Sequence, residues 1–246
     1  MIIKIDGKTC TCSSGEYLLD IASRNGIYIP TLCHHDGLPG LGCCRICIVE
    51  AVVFDRKDIV TACIYPVEQE CSVFTDSDRV KRQRGMLLAL LRSSAPESAE
   101  IAQLCKAYGV PDYERFTQKA NEKCILCGLC VSACETLGTS AISSVNRGVE
   151  KAVSTPYDEP STDCIGCASC AAVCPTGAIS VEESDSTRTI WNRKFSLQLC
   201  RHCGSPFGTL DELAFAAKKS EIEPSTLCSA CRQKVIADSM IAAYGR

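Results

Sequence analysis

Apolar and polar positions alternate at the start of the chain, where MIIKI predicts a β-strand. The turn signal Asp6-Gly7 follows, and Thr9 to Cys12 predicts a returning strand. Apolar residues at helical spacing between Glu16 and Asn25 predict a short helix that ends at Gly26. CIVEAVVF and DIVTACIYPV predict two further strands. Strand, turn, strand and helix in this order are typical of a β-grasp fold in an α+β chain.

The rest of the chain shows helical periodicity first and a repeat afterwards. VKRQRGMLLALLRSS is amphipathic and stops before Pro96, and IAQLCKAYGV predicts a shorter helix ending at Gly109. Two cysteine-dense copies then occupy Asn121 to Val181, and the polar run EESDSTR separates them from a C-terminal segment. We therefore predict four parts: residues 1–78, a helical connector over 79–115, the repeat over 116–185 and a small module over 186–246.

Charge and hydropathy argue against several classes of function. The net charge of −3 gives no general affinity for nucleic acid or acidic membranes. No apolar run approaches the roughly 18 residues of a transmembrane helix. The start MIIKIDGKTC lacks the pattern of a secretory signal. We expect a cytoplasmic protein without membrane insertion or a nucleic-acid partner.

Cysteine is the strongest chemical signal, with 21 residues among 246. Thiols stay reduced in the cytosol, so clustered cysteines there indicate bound metal rather than a disulfide scaffold. The odd number also argues against complete internal pairing.

The first cysteine cluster lies in the glycine-rich loop LCHHDGLPGLGCCRICIV. Cys33, Cys44 and Cys47 have the pattern C-x10-C-x2-C, and Cys63 follows within VTACIYPV. Four thiolates from one loop and the next strand can close around a 2Fe–2S cluster. The glycines of the loop let its backbone wrap tightly and turn N–H groups toward sulfur.

Several other residues near this cluster are not predicted as ligands. Cys43 adjoins Cys44 but points the opposite way in an extended loop, although an exchange of the two stays open. His34 and His35 could replace two thiolates as in a Rieske centre, but four cysteines already suffice. The remaining cysteines of the first half lack ligand spacing and are predicted to be buried small hydrophobic residues. They are Cys10, Cys12, Cys71 and Cys105.

The repeated segment contains the run C-x2-C-x2-C-x3-C twice, in CILCGLCVSAC and CIGCASCAAVCP. This is the run of bacterial two-cluster ferredoxins, in which the fourth cysteine ligates the other cluster. Three thiolates in a tight turn face one cubane, whereas the fourth lies in a helical turn and points to its neighbour. The first 4Fe–4S set is therefore Cys124, Cys127, Cys130 and Cys174. The second 4Fe–4S set is Cys164, Cys167, Cys170 and Cys134. Zinc is disfavoured by eight cysteines in this doubled order.

Two further CxxC pairs lie in the C-terminal module, in LQLCRHCGSPFGT and STLCSACRQK. Cys200, Cys203, Cys228 and Cys231 suit a tetrahedral four-cysteine zinc site in a zinc-ribbon-like or treble-clef module. A further Fe–S cluster is the competing interpretation. His202 lies inside its knuckle and is predicted to be a bystander.

The motifs IPTLCHHDGLPGLGCCRICIVE and TACIYPV resemble the N-terminal iron–sulfur region of the complex I large subunit, of iron-only hydrogenases and of NAD-linked formate dehydrogenases. The resemblance covers roughly residues 1–185. In that family a segment with one histidine and three cysteines follows the first domain and binds a 4Fe–4S cluster. The corresponding LLRSSAPESAEIAQLCKAYGVP retains only Cys105, so we predict a structural connector without a cluster.

No catalytic residues are predicted, because the chain has neither a dinucleotide-binding fingerprint nor a P-loop. The resemblance implies an electron-transfer subunit of a hetero-oligomeric cytosolic oxidoreductase, with flavin and NAD(H) on partner subunits only. It implies a flavoprotein that oxidises NADH as one partner. The other would be a ferredoxin, a hydrogenase, a formate dehydrogenase or a second flavoprotein, in some cases within an electron-bifurcating complex. A free polyferredoxin and a zinc-binding interaction protein are the alternatives.

Overall fold

The computed structural model describes residues 1–116 and 121–245. Residues 117–120, within the predicted repeat segment, and Arg246 lie outside the described part. The chain divides into two compact units. The first comprises Met1–Ser132 and Val173–Ala178, and the second comprises Ala133–Ala172 and Ile179–Arg246. All 21 cysteines are described, and no disulfide joins any of them.

The first unit is built on a five-stranded sheet with the order β2-β1-β7-β4-β5. β1 and β7 are parallel, and the other neighbours are antiparallel. The strands are β1 (Ile2–Ile5), β2 (Lys8–Thr11), β4 (Ile48–Val53), β5 (Arg56–Thr61) and β7 (Ser72–Phe74). Helix α1 (Leu18–Arg24) packs its apolar face against this sheet, and its buried residues share one core with Ile3, Ile5, Val49 and Val73.

The sequence patterns predict most of these elements, with three differences. The helix begins at Leu18 rather than Glu16, because β3 (Glu16–Tyr17) pairs with β6 (Pro66–Val67). The strand predicted for DIVTACIYPV ends at Thr61, and Ala62–Ile64 form a 3-10 turn whose Ala62 N–H donates to the Cys47 carbonyl. The short strand β7 has no signal of its own and pairs between β1 and β4.

Two helices follow the sheet as the periodicity predicts. Helix α2 (Asp78–Ser94) has Ser77 as its N-cap, and α3 (Ala99–Ala107) has Ser98. Each serine hydroxyl accepts a hydrogen bond from the backbone N–H of the residue three positions later. Cys105 is buried on α3 and its thiol donates to the Leu88 carbonyl. The other three cysteines predicted as small core residues are buried as well: Cys10, Cys12 and Cys71.

Helix α4 (Leu129–Leu137) contributes residues to both units. The second unit contains the pair β8 (Ser143–Val145) and β9 (Ala152–Ser154), and helix α5 (Ser169–Ala172). An antiparallel sheet follows with β10 (Glu182–Glu183), β11 (Thr187–Ile190), β12 (Arg193–Leu199) and β13 (Pro206–Thr209) in this order. Helices α6 (Leu210–Ser220) and α7 (Ser229–Tyr244) complete it.

The polar run EESDSTR thus forms a hairpin rather than a separator, because β10 pairs with β11 through Glu182 opposite Thr189 and Glu183 opposite Arg188. Among the described residues, no helix has both the length and the apolar character needed to cross a bilayer.

Candidate metal centres

The four cysteines predicted to hold a 2Fe–2S cluster lie together in the first unit. Cys33, Cys44 and Cys47 come from the loop between α1 and β4, and Cys63 comes from the 3-10 turn after β5. All four are buried. The N–H of Cys44 donates to the Cys33 sulfur at 3.4 Å. A backbone donor aimed at a buried sulfur, together with converging thiols, is the environment that a thiolate-ligated cluster requires.

Hydrogen bonds between these thiols shift their pKa values in pairs. A hydrogen bond from Cys44 lowers the pKa of Cys33 to about 6, and a hydrogen bond from Cys63 lowers the pKa of Cys47 to about 7. The thiols of Cys44 and Cys63 have raised pKa values, because each donates to its partner and is buried. Cys33 and Cys47 therefore ionise more readily than a free cysteine, each with a neighbouring thiol as hydrogen-bond donor.

The loop is held against the turn that carries Cys63. Gly42 has a φ of +62°, and a Cβ there would lie 2.5 Å from Ile64 Cδ1. At Gly40 a Cβ would lie 3.3 Å from the Cys63 carbonyl oxygen. Glycine therefore permits the loop to lie close to the Ile64 side chain at position 42 and to the Cys63 backbone at position 40.

Arg84 of α2 is a buried charged residue that the sequence pattern does not reveal. Its guanidinium donates to the carbonyls of Ile46 (3.0 Å), Ile48 (2.6 Å) and Thr75 (3.2 Å), and to the Tyr108 hydroxyl. The first two carbonyls flank Cys47. Arg84 therefore links the backbone on both sides of Cys47 to helix α2 and to the residue that follows β7.

Neighbouring candidates take other roles in the structure. Cys43 is exposed and its sulfur lies 3.5 Å from the Leu41 carbonyl, whereas Cys44 is buried. His35 Nδ1 accepts the Gly37 N–H, and His34 Nε2 lies 3.4 Å from Asp36.

The first predicted 4Fe–4S set falls entirely within the first unit: Cys124, Cys127, Cys130 and Cys174. Burial, together with the charges of Cys174, Cys124 and Cys33, raises the pKa of Cys127 to about 11. Cys127 also shares a hydrophobic cluster with Cys33 and Cys44. Leu41, in the glycine-rich loop, lies 3.0 Å from the position of a Cβ at Gly128. The two cysteine-bearing loops of this unit thus pack together.

The second predicted 4Fe–4S set falls entirely within the second unit: Cys134, Cys164, Cys167 and Cys170. These four cysteines line one cavity, together with Ile142, Ile190 and Trp191 among others. Burial raises the pKa of Cys164 and of Cys170, and Cys167 and Cys134 act on both in the same direction. A cavity walled by four thiols and apolar side chains fits a thiolate-bound cluster.

The two cysteine runs share an unusual backbone. Leu126 and Gly166 each follow the first cysteine of a run by two residues, and Gly128 and Ala168 by four. All four have positive φ, of +54°, +69°, +81° and +59° respectively. Each loop therefore requires two left-handed residues, and each copy places glycine at a different one of them.

The fourth cysteine of each run has corresponding partners. The Cys134 sulfur accepts the Ala141 N–H at 3.2 Å and lies 3.1 Å from the Thr139 hydroxyl. The Cys174 sulfur accepts the Ala178 N–H at 3.3 Å and lies 3.7 Å from the Thr176 hydroxyl. Thr139 and Thr176 lie at different distances in sequence from their cysteines, so no common spacing reveals either of them.

The C-terminal cysteines converge on one point. The sulfur atoms of Cys200, Cys203, Cys228 and Cys231 all lie within 4.8 Å of one another. The first pair lies in the turn between β12 and β13, and the second opens α7. Backbone N–H groups of Cys228 and Cys203 lower the pKa of Cys200 to about 6. His202 Nδ1 lies 3.5 Å from the Cys231 sulfur and thus contacts a predicted ligand.

Two known domain families match this chain. Residues 1–78 match a family described as a 2Fe-2S iron-sulfur cluster binding domain. Residues 123–178 and 163–206 match a family described as a 4Fe-4S dicluster domain.

Three curated relatives are named as subunits of hydrogenases or of NADH-ubiquinone oxidoreductase. The NADP-reducing hydrogenase subunit HndD of Solidesulfovibrio fructosivorans is 32% identical, over 74% of this chain and 36% of the relative. The NAD-reducing hydrogenase HoxS subunit gamma of Cupriavidus necator is 28% identical, over 81% of this chain and 94% of the relative. The NADH-ubiquinone oxidoreductase 75 kDa subunit of Reclinomonas americana is 26% identical, over 76% of this chain and 30% of the relative. The chain spans about a third of the length of HndD.

A solved structure has a similar fold over most of this chain. A chain in the crystal structure of an NAD+-reducing NiFe-hydrogenase in the H2-reduced state superposes with a TM-score of 0.63 and 26% identity. The match covers 72% of this chain and 85% of that chain.

Proposed function

We propose that this chain, an iron–sulfur protein related to hydrogenase subunits and to the complex I 75 kDa subunit, relays single electrons inside an NAD(P)-linked oxidoreductase complex. The observation that supports the proposal is that none of the three predicted sets of four cysteines is divided between the two units. Two sets lie within the first unit, and the third lines a cavity of the second. When bound, the clusters would supply one-electron redox chemistry.

The ligand sets follow the sequence-based prediction. Cys33, Cys44, Cys47 and Cys63 would hold the 2Fe–2S cluster. The first cubane would be held by Cys124, Cys127, Cys130 and Cys174. The second would be held by Cys164, Cys167, Cys170 and Cys134. The packing of Leu41 against Gly128, and the shared hydrophobic cluster of Cys33 and Cys127, support close neighbourhood of the first two centres.

The C-terminal set is proposed to bind zinc. Four sulfurs around one ion at the Zn–S distance of about 2.3 Å lie roughly 4 Å apart, and the Cys203 and Cys228 sulfurs are 3.8 Å apart. In a cubane each thiolate would bind a different iron atom, so the distances between the cysteine sulfurs would be longer. The second CxxC pair opens helix α7 rather than a β-turn, which favours the treble-clef alternative over a ribbon.

The residues around the clusters would exclude water and fix the thiolates. Apolar neighbours such as Leu129, Ile142 and Ile190 bury the cysteines, and backbone N–H groups hold the sulfurs of Cys33, Cys134 and Cys174. We propose that a cytoplasmic flavoprotein carrying NAD(P)(H) and a second redox subunit are the partners.

The experiment is anaerobic purification of the tagged chain from its own cells, followed by EPR at low temperature. The proposal expects a complex with a flavin-containing subunit, in which NADH or NADPH reduces the cluster signals. Separated from that complex, the chain should be reduced by dithionite but not by either nucleotide. Cluster signals in a chain that is isolated alone would favour a free carrier. A colourless, iron-free chain would favour the zinc-binding interaction protein, and both results would refute the subunit role.

A further inference from the structure

The hairpin of β11 and β12 lies against the loop that carries three cysteines of the second 4Fe–4S set. Trp191 and Asn192 form its two-residue turn, with φ values of +51° and +59°. Two left-handed residues are what a tight type I′ hairpin requires. The hairpin lies in the segment predicted as a separate C-terminal module, yet its side chains bind residues 161–170.

Side chains of the sheet donate hydrogen bonds to five carbonyls of that loop. Arg193 Nη1 donates to the carbonyls of Ser161 and Thr162, both at 3.0 Å, and of Cys164 at 2.5 Å. The next carbonyls along the loop are also held: Thr209 donates to that of Ile165 and Arg188 to that of Gly166. Burial raises the pKa of Cys164, and a hydrogen bond from the Gly166 N–H in the same loop opposes that rise.

Trp191 contacts a ligand sulfur itself. Its indole Nε1–H donates to the Cys170 sulfur at 3.4 Å, and its ring lines the same cavity as the four cysteines. The positive charges nearby are compensated, because Arg193 pairs with Asp211 at 2.8 Å and Arg188 with Glu183 at 2.5 Å. Trp191 is thus a neutral donor whose effect on sulfur can be separated from these ion pairs.

We propose that Trp191 is a positioning residue that raises the reduction potential of the second cubane by hydrogen bonding to the Cys170 thiolate. The proposal rests on the proposed function, because it takes Cys134, Cys164, Cys167 and Cys170 as the ligands. One-electron reduction adds negative charge to the cluster and its sulfurs, so a donor stabilises the reduced state more than the oxidised one.

The test compares Trp191→Phe with the wild type by EPR-monitored anaerobic redox titration of the full chain. Tyr157→Phe is the matched control, since it removes one donor from an exposed aromatic residue of the same unit. Trp191→Phe should lower the potential of one cubane by an amount equivalent to up to about a tenfold change in equilibrium, or about 59 mV. The other two clusters, and all three in the control, should keep their potentials.

A fully loaded Trp191→Phe protein with unchanged potentials would overturn this proposal while leaving the proposed function intact. A wild type without a second cubane would instead refute the ligand assignment itself. If Trp191→Phe does not retain the cluster, a nitrogen-coupling measurement on the wild type replaces the titration. The chain contains one tryptophan, so a label on indole nitrogen reports on Trp191 alone. With ¹⁵N-indole label, the reduced second cubane should show a weak nitrogen coupling, and absence of that coupling would also overturn the proposal.

Discussion

Arg84→Met should loosen the 2Fe–2S loop more than any other single change outside the ligands. The side chain of Arg84 is fully buried and donates to three main-chain carbonyls, of which Ile46 and Ile48 flank Cys47. Each buried acceptor left without a donor costs at least about 1 kcal/mol, so the loss is about 3 kcal/mol.

The assay is the rate at which a strong iron chelator bleaches the 2Fe–2S absorbance under anaerobic conditions. If release passes through local opening of the loop, 3 kcal/mol corresponds to an acceleration of roughly 100-fold. Arg82→Met is the matched control, since Arg82 is exposed on the same helix. Arg84→Lys should recover only part of the stability, because an ammonium lacks the planar fork that spans several carbonyls. Equal release rates for Arg84→Met and Arg82→Met would refute this reasoning.

Four further substitutions test the individual centres. Cys44→Ser should abolish the 2Fe–2S EPR signal, whereas Cys43→Ser should retain it, and the reverse pattern would exchange the two as ligands. Ala168→Gly should stabilise the second cubane loop by up to about 1–2 kcal/mol, because glycine removes the cost of a left-handed residue at φ +59°; slower thermal bleaching would show it, and faster bleaching would contradict it. Cys228→Ser should release zinc while all cluster signals persist, and loss of a cluster signal instead would assign iron to this site.

The ligand sets are predictions from cysteine spacing, which the sequence displays directly because metal ligation demands particular residues at particular intervals. The sequence indicates only two of the four left-handed positions in the cysteine runs, those occupied by Gly128 and Gly166. Leu126 and Ala168 adopt the same backbone conformation, but their residue types do not predict it. The strained non-glycine residues are held by the surrounding packing.

Long-range hydrogen bonds could not be predicted. Arg84 reads as a polar position on an amphipathic helix, and only the folded sheet brings it to Ile46, 38 residues earlier in the chain. Trp191 reads as an isolated aromatic residue in a polar stretch until the hairpin carries it to Cys170. The polar run EESDSTR resembled a linker because every one of its side chains is charged or carries a hydroxyl group.

The most direct test of the account is the iron and zinc content of the anaerobically isolated chain. One 2Fe–2S cluster, two cubanes and one structural zinc predict about ten iron atoms and one zinc per chain. About fourteen iron atoms without zinc would contradict the assignment of the C-terminal site. A chain with zinc but without iron would contradict the electron relay itself.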